Sequence, residues 1–346
     1  MRQTFHLYLV LTLSLALSGC ARPRTPAGRR APPGTARALS YLAREVPRWS
    51  RENGCFSCHN NGDAARALYT AHRLGYPVPS EALADTSEWL SRPGGWDENK
   101  GDPGFSDKSL ARVQFTAALA TAVDSGVIED DGVLERAARE LAGIQRDDGS
   151  WTIEPAHAIG SPATYGTHLA TATARRALAR AASPELRSAV AKADAWLRGA
   201  PRRNVVEAAA VILGLEGGGA PGVPERREEC LDLLRRAQAP DGGWGPYLES
   251  PTEPFDTALA LLALEEVASR RGAPAIKPAV REPAVREPAV REMVRRGREY
   301  LLATQLPEGG WLETTRPPGQ ESYAQHISTS GWATLALLLT EELADD

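Results

Sequence analysis

The chain has 346 residues, of which 42% are hydrophobic and 24% are charged, and its formal net charge is −4. Its 40 basic and 44 acidic residues are mixed along the sequence and form no basic stripe, which excludes a nucleic-acid partner. Roughly 300 residues follow the polar N-terminal region, enough for the core of one large domain.

The first 20 residues resemble a bacterial lipoprotein signal peptide. Arg2 precedes an apolar run from Leu7 to Leu17, and small residues lead to Cys20. The run is too short to span a membrane comfortably, and a cysteine at this place accepts a lipid. We therefore expect lipidation at Cys20 and a location on the periplasmic side of a bacterial membrane, held by the lipid anchor. A plain secretory signal or an uncleaved anchor is the alternative.

Residues 21–35 are rich in Pro, Arg and Gly and have almost nothing to bury, which predicts a flexible tether. Residues 36–346 are then the folded domain. Ala and Leu dominate it and β-branched residues are few, a composition that favours helix.

The next feature is a Cys-x-x-Cys-His motif formed by Cys55, Cys58 and His59. At this spacing two thiols add to the vinyl groups of haem, and the imidazole ligates the iron. A periplasmic location agrees with haem c attachment. Two alternatives stay open, namely a Cys55–Cys58 disulfide or thiol pair, and a zinc or other metal site that uses His59.

A turn containing Gly and an aromatic residue recurs along the chain, and the haem-type motif overlaps its first copy. The five copies begin at Gly54, Gly94, Gly149, Gly242 and Gly309. An amphipathic run precedes each of the last three, and a more apolar run follows, both at helical spacing. The repeating unit is therefore helix, Gly turn, loop and helix.

Helices that are apolar nearly all round must be buried on most sides, whereas the amphipathic helices need one buried face. A closed double ring satisfies both requirements, with the apolar helices inside. Residues 195–215 supply one further helix pair without the aromatic turn. The sequence therefore predicts an all-α protein, an α/α toroid of six helical hairpins.

One segment does not fit the repeat. Residues 278–292 carry Ala-Val-Arg-Glu three times, with Pro283 and Pro288 between the copies. Repeated Pro interrupts a helix, so this segment is predicted to be a linker insertion.

The spacing of Gln, an acidic residue or Pro, Gly and Trp resembles the QW-type repeats of squalene-hopene cyclases and the repeats of protein prenyltransferase β subunits. The resemblance covers most of residues 36–344 and is clearest in GREYLLATQLPEGGW from Gly297. It implies an α/α toroid. It does not imply one activity, because this fold hosts cyclases, prenyltransferases, thioester proteins and non-catalytic relatives.

The resemblance assigns no catalytic residue. Cyclases of the squalene-hopene type use an Asp-x-Asp-Asp acid, and the nearest string here, from Ile128 to Asp131, lacks the first Asp. Prenyltransferases hold zinc with an Asp-x-Cys pair, and Asp256-Thr257-Ala258 lacks the Cys. The Gly-Cys-Gly-Glu-Gln string of thioester proteins is absent from the sequence.

A haem bound through His59 needs a second axial ligand unless the iron is five-coordinate. The candidate histidines are His72, His157, His168 and His326. In a closed ring the last hairpin lies beside the first, which makes His326 the predicted distal ligand. A structural role is the alternative for His168 and His326.

Three further expectations concern structure. Asp256 is expected to cap a helix by accepting a backbone N–H bond, and Cys230 to be a buried, inert thiol. The tryptophans of the turns are expected to pack between outer helices. They are Trp96, Trp151, Trp244 and Trp311.

The sequence therefore predicts a lipid-anchored toroid whose partners are the membrane and an unknown ligand or protein. Its predicted function is ligand binding or redox chemistry through a haem c site. The alternatives are an enzyme on an isoprenoid or carbohydrate substrate, with an acid that the sequence does not identify, and a non-catalytic repeat protein that binds a partner.

Overall fold

A computed structural model of the chain describes residues 29–100, 107–153, 159–215, 222–269, 287–316, 319 and 322–344. The predicted signal peptide with Cys20, most of the tether, His157 and the first part of the linker insertion lie outside the described residues. Within the described ranges all regular secondary structure is helical.

Thirteen α-helices are present in these ranges. In chain order they are α1 (Pro33–Asn53), α2 (Ala65–Arg73), α3 (Ala84–Leu90), α4 (Lys108–Asp124), α5 (Asp131–Gly143), α6 (Gly166–Ala181), α7 (Arg187–Gly199), α8 (Val205–Gly214), α9 (Val223–Ala237), α10 (Pro254–Ser269), α11 (Glu287–Ala303), α12 (Tyr323–Leu339) and α13 (Glu341–Ala344). A π-helix, Cys58–Ala64, runs directly into α2.

The helices form two concentric rings. The even-numbered helices α2 to α12 are the inner ring, in which each packs against the next and α12 packs against α2. The odd-numbered helices α1 to α11 are the outer ring; each packs against at least one inner helix and is followed along the chain by an inner helix, with which it forms one helical pair. The six hairpins of the described chain confirm the predicted α/α toroid, including the pair α7 and α8 that lacks an aromatic turn.

Burial explains why each helix takes its place. In α8 every residue except Leu213 is buried, as an inner helix with neighbours on all sides requires. In α5 buried residues such as Leu134 and Leu141 recur along one side, and charged residues occupy the other. Helix position in the ring therefore follows from the width of the apolar face.

The recurring Gln and Trp tie one hairpin to the next. The Gln305 side chain donates to the carbonyl oxygens of Gly309 and Gly34, both at 3.0 Å. The indole of Trp311 donates to the Leu301 carbonyl at 2.7 Å, and the ring is fully buried. The copies that include Trp151 and Trp244 make the same bonds. The expected packing in the turns is confirmed for Trp151, Trp244 and Trp311. The buried Trp96 donates instead to the Trp89 carbonyl of α3 at 3.2 Å and packs on Phe115 of α4.

The last three turns need glycine, because Gly149, Gly242 and Gly309 have positive φ and each packs against the backbone of the next outer helix. Gly309 has φ +108°, and a Cβ there would lie 2.3 Å from the Arg37 carbonyl oxygen of α1. Side chains rarely adopt such a φ, and no side chain fits at that distance. The turn can therefore pack directly on the neighbouring outer helix, which for Gly309 joins the last hairpin to the first.

Three details differ from the sequence-based expectations. Helix α1 begins at Pro33, so the last residues of the predicted tether are helical. Residues 287–292 of the predicted linker form the first turns of α11. Pro288 is tolerated because the first turn of a helix does not use its backbone N–H. The predicted cap by Asp256 is wrong, since its carboxylate pairs with Arg316 and not with a backbone N–H.

No helix in the described part of the chain combines the length and the apolar character needed to cross a lipid bilayer.

Candidate functional site

The Cys-x-x-Cys-His segment lies where α1 ends and the first inner helix begins. Gly54 ends α1 in the left-handed conformation, with φ +64°. Phe56 then stacks on Trp89 of α3 at 4.5 Å between ring centroids. Asn99 holds the backbone of Phe56 by two hydrogen bonds, at 3.0 and 2.6 Å. The segment is thus fixed between the first two hairpins.

The two motif cysteines are free thiols in the structure. Cys55 is buried, and Cys58, which is partly exposed, begins the π-helix. Burial, together with the charge of Asp63, raises the pKa of Cys58 to about 12. The burial of Cys55 and the raised pKa of Cys58 both disfavour a reactive thiolate.

The π-helix places polar side chains at the centre of the ring. Such wide turns are rare and frequent at functional sites. Ser57 caps this one by accepting the backbone N–H of His59 at 3.2 Å. His59 and Asp63 both approach Ser328 of α12, which therefore links them.

Asp63 is 3% exposed and accepts three hydrogen bonds from three inner helices. Gln114 of α4 and Ser328 of α12 each donate to Oδ2 at 2.8 Å. The hydroxyl of Tyr165, at the start of α6, donates to Oδ1. Burial raises the pKa of Asp63 to about 6, although these bonds and the charge of Arg66 lower it.

His59 is oriented by the same network. Its Nδ1 lies 2.9 Å from the Ser328 Oγ, whose proton is donated to Asp63, so Nδ1–H is the donor to Ser328. No hydrogen bond to Nε2 occurs within the described residues. Burial lowers the pKa of His59 to about 4. The imidazole is therefore neutral at pH 7.

Tyr165 holds a strained backbone in order to reach Asp63. Its φ is +63°, one of two positive values among the described non-glycine residues. Gly160 makes room, because a Cβ there would lie 1.8 Å from the Tyr165 carbonyl oxygen. Such strain costs about 1–3 kcal/mol and is typical of functional sites.

A cavity of about 360 Å³ lies on the ring axis beyond this network. Leu169, Leu262 and Leu335 line its apolar wall, together with small residues of α4 and α6. Arg66 and Trp332 belong to the lining, at the end of the cavity nearest Asp63. The other end opens where the inner helices finish, at residues such as Arg73 and Leu339.

Arg66 is the unusual group of this lining. Its guanidinium carbon lies 4.8 Å from the Trp332 ring centroid, a cation–π contact. Within the described residues it has no hydrogen-bond or ion-pair partner, and its buried Nε–H and the Trp332 Nε1–H are both unpaired. A cavity-lining guanidinium without an ion pair favours an anionic ligand at this end of the cavity.

The open end of the cavity, its mouth, carries charged residues that are mostly paired with one another. Arg180 pairs with Asp124, and Arg176 donates to Glu266 at 3.0 Å. Glu265 accepts the Ser269 hydroxyl, and burial raises its pKa. Arg73, also at the mouth, has no ion pair within the described residues, but it is exposed and its charge is screened by water. Of the two, Arg66 is therefore the unpaired cation that is partly shielded from water.

Whether the site fits a haem or a metal depends on His59. A neutral imidazole with Nδ1–H held by a hydrogen bond leaves Nε2 for a metal, which fits ligation. The axial cavity, however, is lined by none of the three motif residues. In the described chain no three His, Cys, Asp or Glu side chains are grouped to hold a metal ion, and this includes Cys55, Cys58 and His59.

The other predicted ligands have different neighbours. His326 bonds Glu313 at 3.2 Å and contacts the Tyr41 ring, whereas the residue of α12 that reaches His59 is Ser328. His168 is buried and bonds the Pro201 carbonyl at 2.8 Å, which is a structural role. Cys230 is fully buried, and burial raises the pKa of its thiol to about 12, as expected for an inert cysteine.

Sequence reasoning missed Asp63, Arg66, Tyr165 and Trp332. One signal was available, because the ionisable residues Asp63 and Arg66 flank the two alanines at the start of the first inner helix. Buried ionisable groups are rare unless paired, which marks them as candidates for function.

No family model matches the chain, and no curated protein matches it. Similar solved structures include the type II terpene cyclase MstE from Scytonema, with a TM-score of 0.55, 16% identity, and coverage of 90% of this chain and 98% of that one. The ent-copalyl diphosphate synthase from Streptomyces platensis has a TM-score of 0.52 and 18% identity, with coverage of 82% of this chain and 50% of that one. A glycosidase has a TM-score of 0.54 and 11% identity, with coverage of 89% of this chain and 97% of that one. At these identities the likeness shows the fold, the α/α toroid of terpene cyclases.

Proposed function

We propose that the protein binds a small amphiphilic anion in its axial cavity, with the acidic group of the ligand at Arg66 and the apolar part along the wall. The observation that carries this proposal is Arg66, a cavity-lining arginine that lies over the Trp332 ring and has no ion pair within the described residues. An anionic group in the cavity neutralises its charge.

Size and polarity support the same ligand class. A cavity of about 360 Å³ lies in the range of small-molecule pockets, which are mostly apolar with a few placed polar groups. Leu262 and Leu335 contribute apolar wall, and Arg66 contributes the polar group. An apolar chain with one acidic end matches this arrangement.

An isoprenoid chain is the preferred apolar part. MstE, a structural neighbour, was solved in complex with geranylgeranyl dihydroxybenzoate as substrate. That molecule joins a polyprenyl chain to a benzoate. We extend only this chemical class to the present chain, as an isoprenoid acid short enough for the cavity.

Binding is favoured over catalysis by the position of the carboxyl groups. Asp63, whose pKa burial raises, is shielded from the cavity and does not line it. Among the carboxylates that do, Asp124 and Glu266 are paired with arginines at the mouth. Glu265, the third carboxyl of the lining, has a pKa raised by burial, but it also lies at the mouth, where it accepts the Ser269 hydroxyl. A general acid must reach the atom that it protonates, and none of the three lies at the inner end beside Arg66.

The test is a calorimetric titration with farnesoate, an isoprenoid acid, and with farnesol, which has the same chain without the charge. Hydrogen bonds to charged groups contribute about 1.5–3 kcal/mol, so farnesoate is expected to bind roughly 10- to 100-fold more tightly than farnesol at neutral pH. Equal affinity for the two compounds, or no binding of either, contradicts the proposal.

A second proposal is that the periplasmic, Cys20-anchored protein carries haem c on Cys55, Cys58 and His59. It is supported by the free thiols and by the His59 ring, whose Nε2 has no partner within the described residues. When the chain is exported in cells with haem-attachment machinery, a red protein is expected, with a Soret band that survives acid-acetone extraction. A colourless protein contradicts haem and leaves the cavity proposal unaffected.

A further inference from the structure

Arg66 lines the axial cavity and lies three residues after the buried Asp63. Asp63 is the penultimate residue of the π-helix, and Arg66 belongs to the first turn of α2. The carboxylate is enclosed by Tyr165, Gln114 and Ser328, whereas the arginine reaches the cavity lining. The same guanidinium therefore acts on a buried carboxylate on one side and on the cavity contents on the other.

We propose that an amphiphilic anion binds in the cavity together with one proton, which Asp63 takes up from solvent because the ligand and the Asp63 carboxylate compete for the charge of Arg66. This inference rests on the proposed function and names a residue that sets the affinity and pH dependence of the same site. The chemical step is balanced, since one proton leaves the buffer and protonates one carboxylate oxygen.

The physical basis is the reciprocity of binding equilibria. The positive charge of Arg66 stabilises the ionised form of Asp63, against the burial that disfavours it. A ligand that neutralises this charge removes the stabilisation, so Asp63 binds a proton more tightly. By linkage, a protonated Asp63 must then strengthen ligand binding by the same factor.

The other ionisable groups around Asp63 do not change charge near neutral pH. From its own segment, burial places the pKa of His59 at about 4 and that of Cys58 at about 12. From α6, burial holds the pKa of Tyr165 well above its ordinary value. From α4 and α12 the facing side chains, Gln114 and Ser328, are not ionisable in this range.

Two acidic side chains on neighbouring helices interact with arginines other than Arg66. On α1, Glu45 pairs with Arg48 at 3.2 Å. At the cavity mouth, Glu265 feels the charges of Arg73 and Arg176. Neither competes for Arg66, so the coupling is assigned to Asp63.

The experiment is a calorimetric titration with decanesulfonate, which is ionised at every pH used, at about pH 5.5 and about pH 8. We expect binding to be about tenfold weaker at the higher pH, within the usual range of coupling between sites. At about pH 6.5, between the free pKa of about 6 and the value raised by a tenfold coupling, buffers of different ionisation enthalpy should report the uptake of about half a proton. Both effects should vanish in Asp63→Asn and persist in Asp256→Asn.

Asp256 is the matched control because it is a fully buried carboxyl whose pKa burial also raises, but it pairs with Arg316 and does not line the cavity. Decanesulfonate binding with one dissociation constant at both pH values and no proton uptake overturns the inference and leaves the proposed function standing. Failure to bind at either pH contradicts the proposed function itself. If Asp63→Asn does not fold, proton uptake measured in Glu265→Gln decides, because that variant removes the cavity-lining carboxyl whose pKa burial also raises, and loss of uptake there overturns the inference.

Discussion

Trp311→Ala is expected to lower the free energy of unfolding by about 3–5 kcal/mol, the usual loss when a large buried aromatic side chain is truncated. Trp311 is fully buried, its indole donates to Leu301, and its backbone N–H donates to Ser330 at 3.1 Å. The same turn packs on α1 and closes the ring. Urea unfolding followed by helical circular dichroism measures the loss.

The neighbouring residue supplies the control. Leu312 is 63% exposed, so Leu312→Ala is expected to change the free energy of unfolding by less than about 0.5 kcal/mol. Trp311→Phe keeps most of the buried volume but loses the indole N–H and leaves the Leu301 carbonyl without that donor, and should cost about 1–3 kcal/mol. A Trp311→Ala protein as stable as Leu312→Ala would mean that this turn does not hold the ring closed.

Arg66→Gln is expected to weaken farnesoate binding by about 10- to 100-fold and to leave farnesol binding nearly unchanged. The substitution removes the charge that the acidic group is proposed to meet, while the apolar wall is retained. Calorimetry on both ligands separates these contributions, because a general collapse of the cavity would weaken both alike.

Arg295→Gln is the matched control for Arg66→Gln. Arg295 lies on the outer helix α11, where it is exposed and pairs with Glu292 and Glu299. Such exposed ion pairs contribute about 0–1 kcal/mol to stability, so neither folding nor ligand affinity should change appreciably. Equal farnesoate affinity in Arg66→Gln and Arg295→Gln would remove Arg66 from the site.

The fold could be predicted because each repeat carries its own interactions. Gln305, Gly309 and Trp311 bond within one turn and to the next outer helix, so a short sequence pattern specifies both the hairpin and its neighbour. The width of the apolar face then assigns helices to the inner or outer ring. The sequence does not predict the start of α11. Pro288 would interrupt the interior of a helix, but it lies in the first turn of α11, where proline is tolerated.

The site could be predicted only in part, because it joins residues far apart in the chain. Asp63 meets Gln114, Tyr165 and Ser328 through helix packing that no local pattern specifies. The closed ring did bring α12 to His59, but His326 and Ser328 are two positions apart and face about 200° from each other on a helix. The helix therefore presents Ser328 to His59, and His326 to Glu313.

The most direct test of the proposed function is a crystal structure of the protein with farnesoate. We predict that the ligand lies in the axial cavity, with its carboxylate within hydrogen-bond distance of the Arg66 guanidinium and its chain along Leu169, Leu262 and Leu335. Ligand density anywhere else, or a carboxylate turned towards the mouth and away from Arg66, would contradict the proposal.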